Sequence, residues 1–260
     1  MSQFDWGTVD QGLRGRRARS FGAAATTYDE HRPDYPISGV RWALEPVAAD
    51  KVRVLDLAAG TGKLTGVILA AGAQPTAVEP DDGMRAVLAD RYPEVTALAG
   101  TAESIPLPDD SMDAVLVGQA LHWFDLSRAF PEIARVLRPG GVLAAFWNEP
   151  DDSVEWVAGL ERVSRSDASF PPAQQPDLPS HARFSAFETA TFPHSHRRTV
   201  ESLTSTIGTH SHALVISPAD RAALLDRIAA YLRSRPETAD GPFEMPLRTL
   251  VIRSAVTPLP

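Results

Sequence analysis

Four groups of residues in this 260-residue chain have types and spacings that suit chemistry. Asp56 sits within the aliphatic run Val52-Arg53-Val54-Leu55-Asp56-Leu57, and the small-residue turn Ala58-Ala59-Gly60-Thr61-Gly62 follows it. Glu79 ends a second aliphatic run, about 20 residues beyond that turn, where an acid can meet the hydroxyls of a ribose. His122, with Trp123 and Phe124, follows the apolar run Asp113 to Ala120. His194, His196, Arg197, Arg198, His210 and His212 gather late in the chain. A glycine turn lets a ligand come close to the backbone, and a carboxylate accepts from two vicinal hydroxyls at once. An imidazole titrates near neutrality and suits a general base or a hydrogen bonder. Each has a plainer alternative: a solvated strand-end acid for Glu79, a packing residue bonded to backbone for His122, and core aromatics for Trp123 and Phe124.

Spacing separates the ligands such a turn can take. A phosphate-binding P-loop needs G-x-x-x-x-G-K-[ST], but Leu57 holds the place of its first glycine and Leu64 follows Gly62-Lys63. The dinucleotide fingerprint G-x-G-x-x-G fails at its third glycine, where Thr65 stands with Gly66 one residue late. What remains is a turn open to a nucleoside that carries no phosphate.

The elements that must position these residues follow from periodicity. Val52 to Leu57 reads as a buried strand. Leu64, Val67, Ile68 and Ala71 make one face of a helix that Gly72 stops. Strands are expected at Pro75–Glu79, Val95–Leu98, Asp113–Ala120 and Val142–Asn148, with a helix starting near Pro80 and acids in its first turn. Leu126 to Leu137 reads as a helix in which Pro131 is tolerable only in the first turn or at a kink, and Arg138-Pro139-Gly140-Gly141 stops it. Beyond residue 150 a helix is expected over Val154–Val163, a proline-rich loop over Phe170–Ser180, and strands over Glu188–Val200 and Met245–Val256. Between those strands lies a helix, Ser217–Leu232, capped by Ser217 with Pro218 at its first position. This alternation predicts an α/β fold with a doubly wound, mostly parallel sheet.

Val54-Leu55-Asp56-Leu57-Ala58-Ala59-Gly60-Thr61-Gly62, the later Ala102-Glu103, Ile105-Pro106-Leu107-Pro108 and Ser111-Met112-Asp113, and Arg135-Val136-Leu137-Arg138-Pro139-Gly140-Gly141-Val142-Leu143 resemble class I S-adenosylmethionine-dependent methyltransferases. The resemblance is good over roughly residues 20 to 150 and weaker beyond. It implies a seven-stranded Rossmann-like sheet with an antiparallel last strand and a helical cap. It also implies S-adenosylmethionine as cofactor, with contacts from Asp56, Ala58, Gly60 and Gly62 at the turn and from Glu79 and Pro80 at the second strand end. Met84 is placed against the adenine ring, though Met84, Val87 and Leu88 equally suit the core face of their helix. Ala102 offers a backbone amide and Glu103 an acceptor to the adenine, and Gln119 supports the cofactor through its backbone. The arm Tyr28-Asp29-Glu30-His31-Arg32-Pro33-Asp34-Tyr35-Pro36 resembles a lid in small-molecule members. There Tyr28 and Arg32 face the methionine end, where a guanidinium suits a carboxylate. Its plainer reading is an arm covering one sheet edge. On the acceptor side, His122 is the candidate base or substrate contact, with Tyr35, Trp123 and Arg197 as candidate substrate contacts.

A net charge of -8 disfavours non-specific nucleic-acid binding. The absence of cysteine excludes disulfides and thiolate chemistry and suits a reducing cytoplasm. No apolar run approaches the roughly 20 residues needed to cross a bilayer. The late histidines lack a carboxylate partner at metal-ligand spacing, so no metal is expected. The expected organisation is a flexible segment over 1–20 and one domain over 21–260: a lid arm (21–45), a cofactor-binding core (46–148), and a substrate cap with the final strands (149–260). The expected activity is methylation of a small-molecule acceptor, most readily at oxygen, by a cytoplasmic monomer or homodimer. The alternatives are a non-catalytic S-adenosylmethionine-binding or interaction protein and, further off, an NAD-dependent oxidoreductase.

Overall fold

Uninterrupted β-branched and aliphatic runs can be buried on both faces only in a parallel sheet covered by helices on each side. The computed structural model, which describes residues 33–165, 178–209, 213 and 215–257, has that arrangement. In chain order its elements are α1 (Ile37–Leu44), β1 (Arg53–Leu57), α2 (Lys63–Ala70), β2 (Gln74–Val78), α3 (Asp82–Arg91), β3 (Thr96–Leu98) and β4 (Met112–Gly118). A one-turn 3-10 helix, Leu121–Trp123, leads into α4 (Leu126–Val136) and β5 (Leu137–Pro150). Then come α5 (Glu155–Val163), β6 (Glu188–Arg198), α6 (Val200–Gly208), α7 (Pro218–Arg233) and β7 (Phe243–Ala255).

The seven strands lie in the order β3-β2-β1-β4-β5-β7-β6. β1 pairs in parallel with β2 and β4, β2 with β3, and β4 with β5, while β7 is antiparallel. The antiparallel register shows in two bonds, Val256 N–H to the Gly141 carbonyl at 2.8 Å and Asp151 N–H to the Pro246 carbonyl at 3.1 Å. The order reverses at β1 and β4, so the carboxyl ends of these two strands form the switch point at which such sheets bind ligands.

Alternation along each strand sends neighbours to opposite faces. Leu55, Leu57, Val115, Val117, Leu143 and Ala145 pack with Phe130 and Ile133 of α4. Val54, Ala114, Leu116, Ala144 and Phe146 pack with Leu64 and Ile68 of α2 and Val40 of α1. By contact density the described residues divide into two compact units: 33–148, 178–192 and 249–257 form one, and 149–165, 193–209, 213 and 215–248 the other. The second unit has its own core, including Trp156, Leu160, Leu203, Ile207, Leu224, Ile228 and Phe243. No helix among the described residues is long and apolar enough to cross a membrane.

Four local features differ from the sequence expectation. The strand expected to reach Val200 ends at Arg198, because Thr199 caps a helix there: its hydroxyl accepts from the Ser202 N–H at 3.2 Å, and Ser202 Oγ accepts in return from the Thr199 N–H at 2.9 Å. α1 forms in a stretch read only as an arm, and it buries Gly39, Val40 and Ala43. Pro131 is the sixth residue of α4, beyond the first turn, and forgoes a bond to the Ser127 carbonyl. Burial of Ala129, Phe130, Ile133, Ala134 and Val136 holds the helix regardless. Residues 138–141, read as a helix stop, form a bulge within β5 between the pairs Met112–Leu137 and Ala114–Val142. Tyr28, Arg32, the basic N-terminal arginines, His210, His212 and most of the proline-rich loop lie outside the described residues.

Candidate functional site

Strained backbone marks the switch point. Ala58, just after β1, has φ +58°, and Gln119, just after β4, has φ +56°. Such angles cost a non-glycine residue on the order of 1–3 kcal/mol and persist only where the surroundings fix them. At Ala58 the brace is its neighbour, whose N–H reaches the Val78 carbonyl at 3.2 Å. Gln119 is held twice: its N–H bonds the Phe146 carbonyl at 2.9 Å and its side-chain amide the Asn148 carbonyl at 3.1 Å. Between these points, Gly60 and Gly62 take φ +59° and +88°, where an L side chain is strained. A Cβ on Gly60 would come no nearer to any group than 3.9 Å, from Met84 Sδ, so this backbone lies open beside Met84.

Two carboxylates converge on the turn. Glu79 is 6% exposed, and its Oε2 accepts the Gly60 N–H at 2.8 Å while its Oε1 accepts the Asp81 N–H at 2.9 Å. Each oxygen keeps a second lone pair. Burial pushes its pKa up, against the pull of the two backbone donors. Asp56 is fully buried; Thr65 Oγ1 donates to its Oδ2 at 2.5 Å, and its Oδ1 has no hydrogen-bond partner among the described residues. Desolvation raises the Asp56 pKa to about 7, so near neutrality this carboxyl holds its proton about half the time. Thr65 is therefore an anchor for Asp56 and no substitute for a glycine facing pyrophosphate. Gly66 has a separate reason: a Cβ there would sit 2.2 Å from the hydroxyl of Tyr92, whose ring also packs against Gly62.

Met84 is 7% exposed, in the first turn of α3, and its N–H is capped by Asp81 at 2.9 Å. Pro80 is exposed beside it. On the following loop Ala102 is buried and Glu103 half-buried. The Glu103 carboxylate accepts the Asp125 N–H at 3.0 Å, so one of its oxygens is occupied at the mouth of α4.

At the last residue of β4, Tyr35 stands over Gly118, where a Cβ would meet its hydroxyl at 2.6 Å, and its ring meets Phe146 edge-on at 5.8 Å. His122 lies in the 3-10 turn with its ring 4.6 Å from that of Trp123. Trp123 is 37% exposed, whereas Phe124 is buried in the core. Burial lowers the His122 pKa to about 4, so the ring is neutral at pH 7, below the near-neutral titration expected of it. Asn148, at the far end of β5 from Leu137, links these parts: its amide reaches the Pro33 and Asp34 carbonyls at 3.4 and 3.2 Å, and its oxygen accepts from Thr249 Oγ1. Lys63 pairs with Asp34 at 3.0 Å.

The first unit thus brings together Tyr35, Asp56, Ala58, Gly60, Gly62, Glu79, Met84, Gln119 and the His122–Trp123 turn around the carboxyl ends of adjacent strands. Arg197 belongs to the second unit, exposed on β6. No cluster of His, Asp and Glu fit to hold a metal occurs among the described residues. Sequence reasoning overlooked Tyr92, Asn148 and Lys63. Asn148 carried a signal, as a polar residue ending a buried strand, while Tyr92 acts only through a fold-dependent contact.

Comparison with known proteins agrees with this geometry. A family profile described as a methyltransferase domain matches residues 55–145. Uncharacterized methyltransferases of Mycobacterium tuberculosis and Mycobacterium bovis are 39% identical over 238 residues, which is 91% of this chain and 96% of theirs. A malonyl-[acyl-carrier protein] O-methyltransferase of Methylococcus capsulatus is 38% identical over 137 residues, 48% of each chain. The solved structure of a type II methyltransferase from Anaeromyxobacter dehalogenans superposes with TM-score 0.68 at 26% identity, over 88% of this chain and 99% of that one. With a strained glycine turn at the switch point, a strand-end acid beside it and relatives that match nearly end to end, the chain belongs to the class I S-adenosylmethionine-dependent methyltransferases.

Proposed function

We propose that this methyltransferase methylates an oxygen of a small-molecule acceptor that reaches the site already ionised, a carboxylate or an acidic phenol. The residues at the switch point fit S-adenosylmethionine. Glu79 keeps a lone pair on each oxygen for two ribose hydroxyls, the open backbone at Gly60 admits the nucleoside, and Met84 flanks it. The buried Asp56 Oδ1 is an acceptor still to be satisfied, suited to the positively charged end of the ligand. Ala102 and Glu103 on the adjoining loop would read the adenine edge, and Gln119 would shape the floor. When bound, S-adenosylmethionine supplies an electrophilic methyl on a sulfonium. The chain's own task is then alignment of the acceptor and exclusion of water.

The observation that carries the choice of acceptor is the state of His122. Burial holds His122 in its neutral form, with its pKa lowered to about 4, so it binds a proton too weakly to take one from an unactivated hydroxyl. A carboxylate or acidic phenol needs no such transfer, and neutral His122 then hydrogen-bonds and orients it beside the exposed Trp123 ring. The O-methyl transfer named for the Methylococcus relative points the same way.

The test supplies methyl-labelled S-adenosylmethionine with phenylacetate, 4-nitrophenol, benzyl alcohol or benzylamine, and identifies the methylated product. Ester or ether formation from the first two, with the alcohol inert, is expected. Label appearing only in benzylamine would overturn the oxygen assignment.

A further inference from the structure

We propose that Arg135, braced by Glu132, is the positioning residue for the loop that reads the adenine base, and that it sets how sharply the protein distinguishes adenine from other bases. The inference rests on the reading of Ala102 and Glu103 as base contacts.

All five N–H groups of the Arg135 guanidinium have partners. Nε donates to Glu132 Oε1 at 2.8 Å, Nη1 to the Leu107 carbonyl and to Asp109 Oδ1 at 2.8 Å each, and Nη2 to the Ile105 carbonyl and Glu132 Oε2 at 2.9 Å each. Glu132 Oε2 also accepts the Ile105 N–H at 3.0 Å, so both polar groups of the Ile105 backbone are held by this pair. The main chain adds to the grip: the Arg135 carbonyl takes the Asp110 N–H at 3.0 Å, and the Val136 carbonyl takes the Ser111 N–H at 2.9 Å.

The loop needs an outside support because of its composition. Pro106 and Pro108 have no N–H, and the main-chain bond found within residues 105–109 joins the Leu107 N–H to the Ile105 carbonyl at 2.8 Å. The Ile105 and Leu107 carbonyls also accept from the Arg135 fork, whose donors have fixed directions. A lysine offers three donors from one point and cannot span Ile105, Leu107, Asp109 and Glu132 together. The upstream part of the loop is tied to the same helix, because Glu103 holds the Asp125 N–H at the cap of α4. Helix α4 therefore fixes the loop through Glu103 on one side and Ile105 to Ser111 on the other.

The test measures dissociation constants of S-adenosylhomocysteine and S-inosylhomocysteine, together with thermal unfolding, for the parent protein, Arg135→Lys and Glu132→Gln. The hypoxanthine analogue lacks the exocyclic amine, so the ratio of the two constants reports base reading separately from the rest of the ligand. The parent should prefer the adenine ligand by about tenfold, the value of one hydrogen bond. Arg135→Lys should reduce that preference to about twofold, and Glu132→Gln should reduce it part of the way. A parent preference that persists unchanged in both variants, or equal weakening of both ligands, would show that Arg135 merely supports the fold and overturn the proposal. A parent without preference would instead refute the reading of Ala102 and Glu103, and the proposal with it. Should Arg135→Lys fail to fold, the milder Glu132→Gln decides between these outcomes.

Discussion

His122 and Asp56 are both titratable, and burial moves each toward its neutral form, with different consequences. With its pKa lowered to about 4, His122 does not change charge between pH 5.5 and 8. Replacing it by asparagine should lower kcat by about tenfold, one orienting hydrogen bond, and leave the shape of the pH profile in that range intact. Disappearance of an inflection near pH 6.5 in the variant would instead mark His122 as a titrating base. Asp56 acts on stability. The unfolded chain releases this proton near pH 3.8, while the folded chain retains it up to about 7. Between those values the folded state binds more protons, so the associated stability is complete below about pH 4 and falls as pH climbs through 7. The integrated loss is of the order of 4 kcal/mol, and Glu79, also raised, adds a loss of the same sign. Urea unfolding of Asp56→Asn at pH 4.5 and 7.5 should therefore show a much smaller decline than the parent. An equal decline in both proteins would rule out Asp56 as its source.

At the scale of elements, α3 supports the glycine turn from behind. Tyr92, the residue after α3, fills the space that a Cβ on Gly66 would need and packs its ring against Gly62. Gly66→Ala should destabilise the protein by about 1–3 kcal/mol through overpacking. The same change in a Tyr92→Ala background should cost at least about 1 kcal/mol less, because the opposing ring is gone. Strict additivity in the denaturant-unfolding cycle would show that the two do not compete for space. This pair also shows where the sequence stops being readable. β1 to β5 follow from aliphatic runs, and α7 follows from Ser217 and Pro218, because strand burial and helix capping are local in the chain. α6 is harder to see: its capping box uses serine at the third position, where glutamate or glutamine gives the usual signal. Asp56, Gly60 and Glu79 lie in segments whose local pattern marks strand ends; the spacing of Glu79 from the turn suggests that they meet, and the family resemblance implies the part of Asp56. The uses of Tyr92 on Gly66, Asn148 on residues 33–34 and Arg135 on residues 105–109 depend on approaches across 26 to 115 positions, which no periodicity records.

For the whole molecule, the division into two units lets the location of the cofactor site be tested without any assumption about acceptor. The strained turn, both carboxylates, the loop 101–111 and the His122 turn all belong to the first unit. Binding to a folded chain stabilises it by RT ln(1 + [L]/Kd), about 2.7 kcal/mol at a hundredfold excess over Kd. S-adenosylhomocysteine at that level should raise the unfolding midpoint, and amide hydrogen exchange should slow in the segments whose backbone the ligand covers. The expected segments are 58–62, 79–84, 101–104 and 118–122. Residues 105–111 should follow more weakly, because they are already fixed to α4 by Arg135. Local openings that break the ligand contacts become rarer in proportion to occupancy, so protection in the first four segments should grow with ligand concentration along one curve. Protection confined to residues 200–208 and 218–233 of the second unit would move the cofactor site away from the switch point. A rise in midpoint that Glu79→Ala leaves unchanged would remove Glu79 from it.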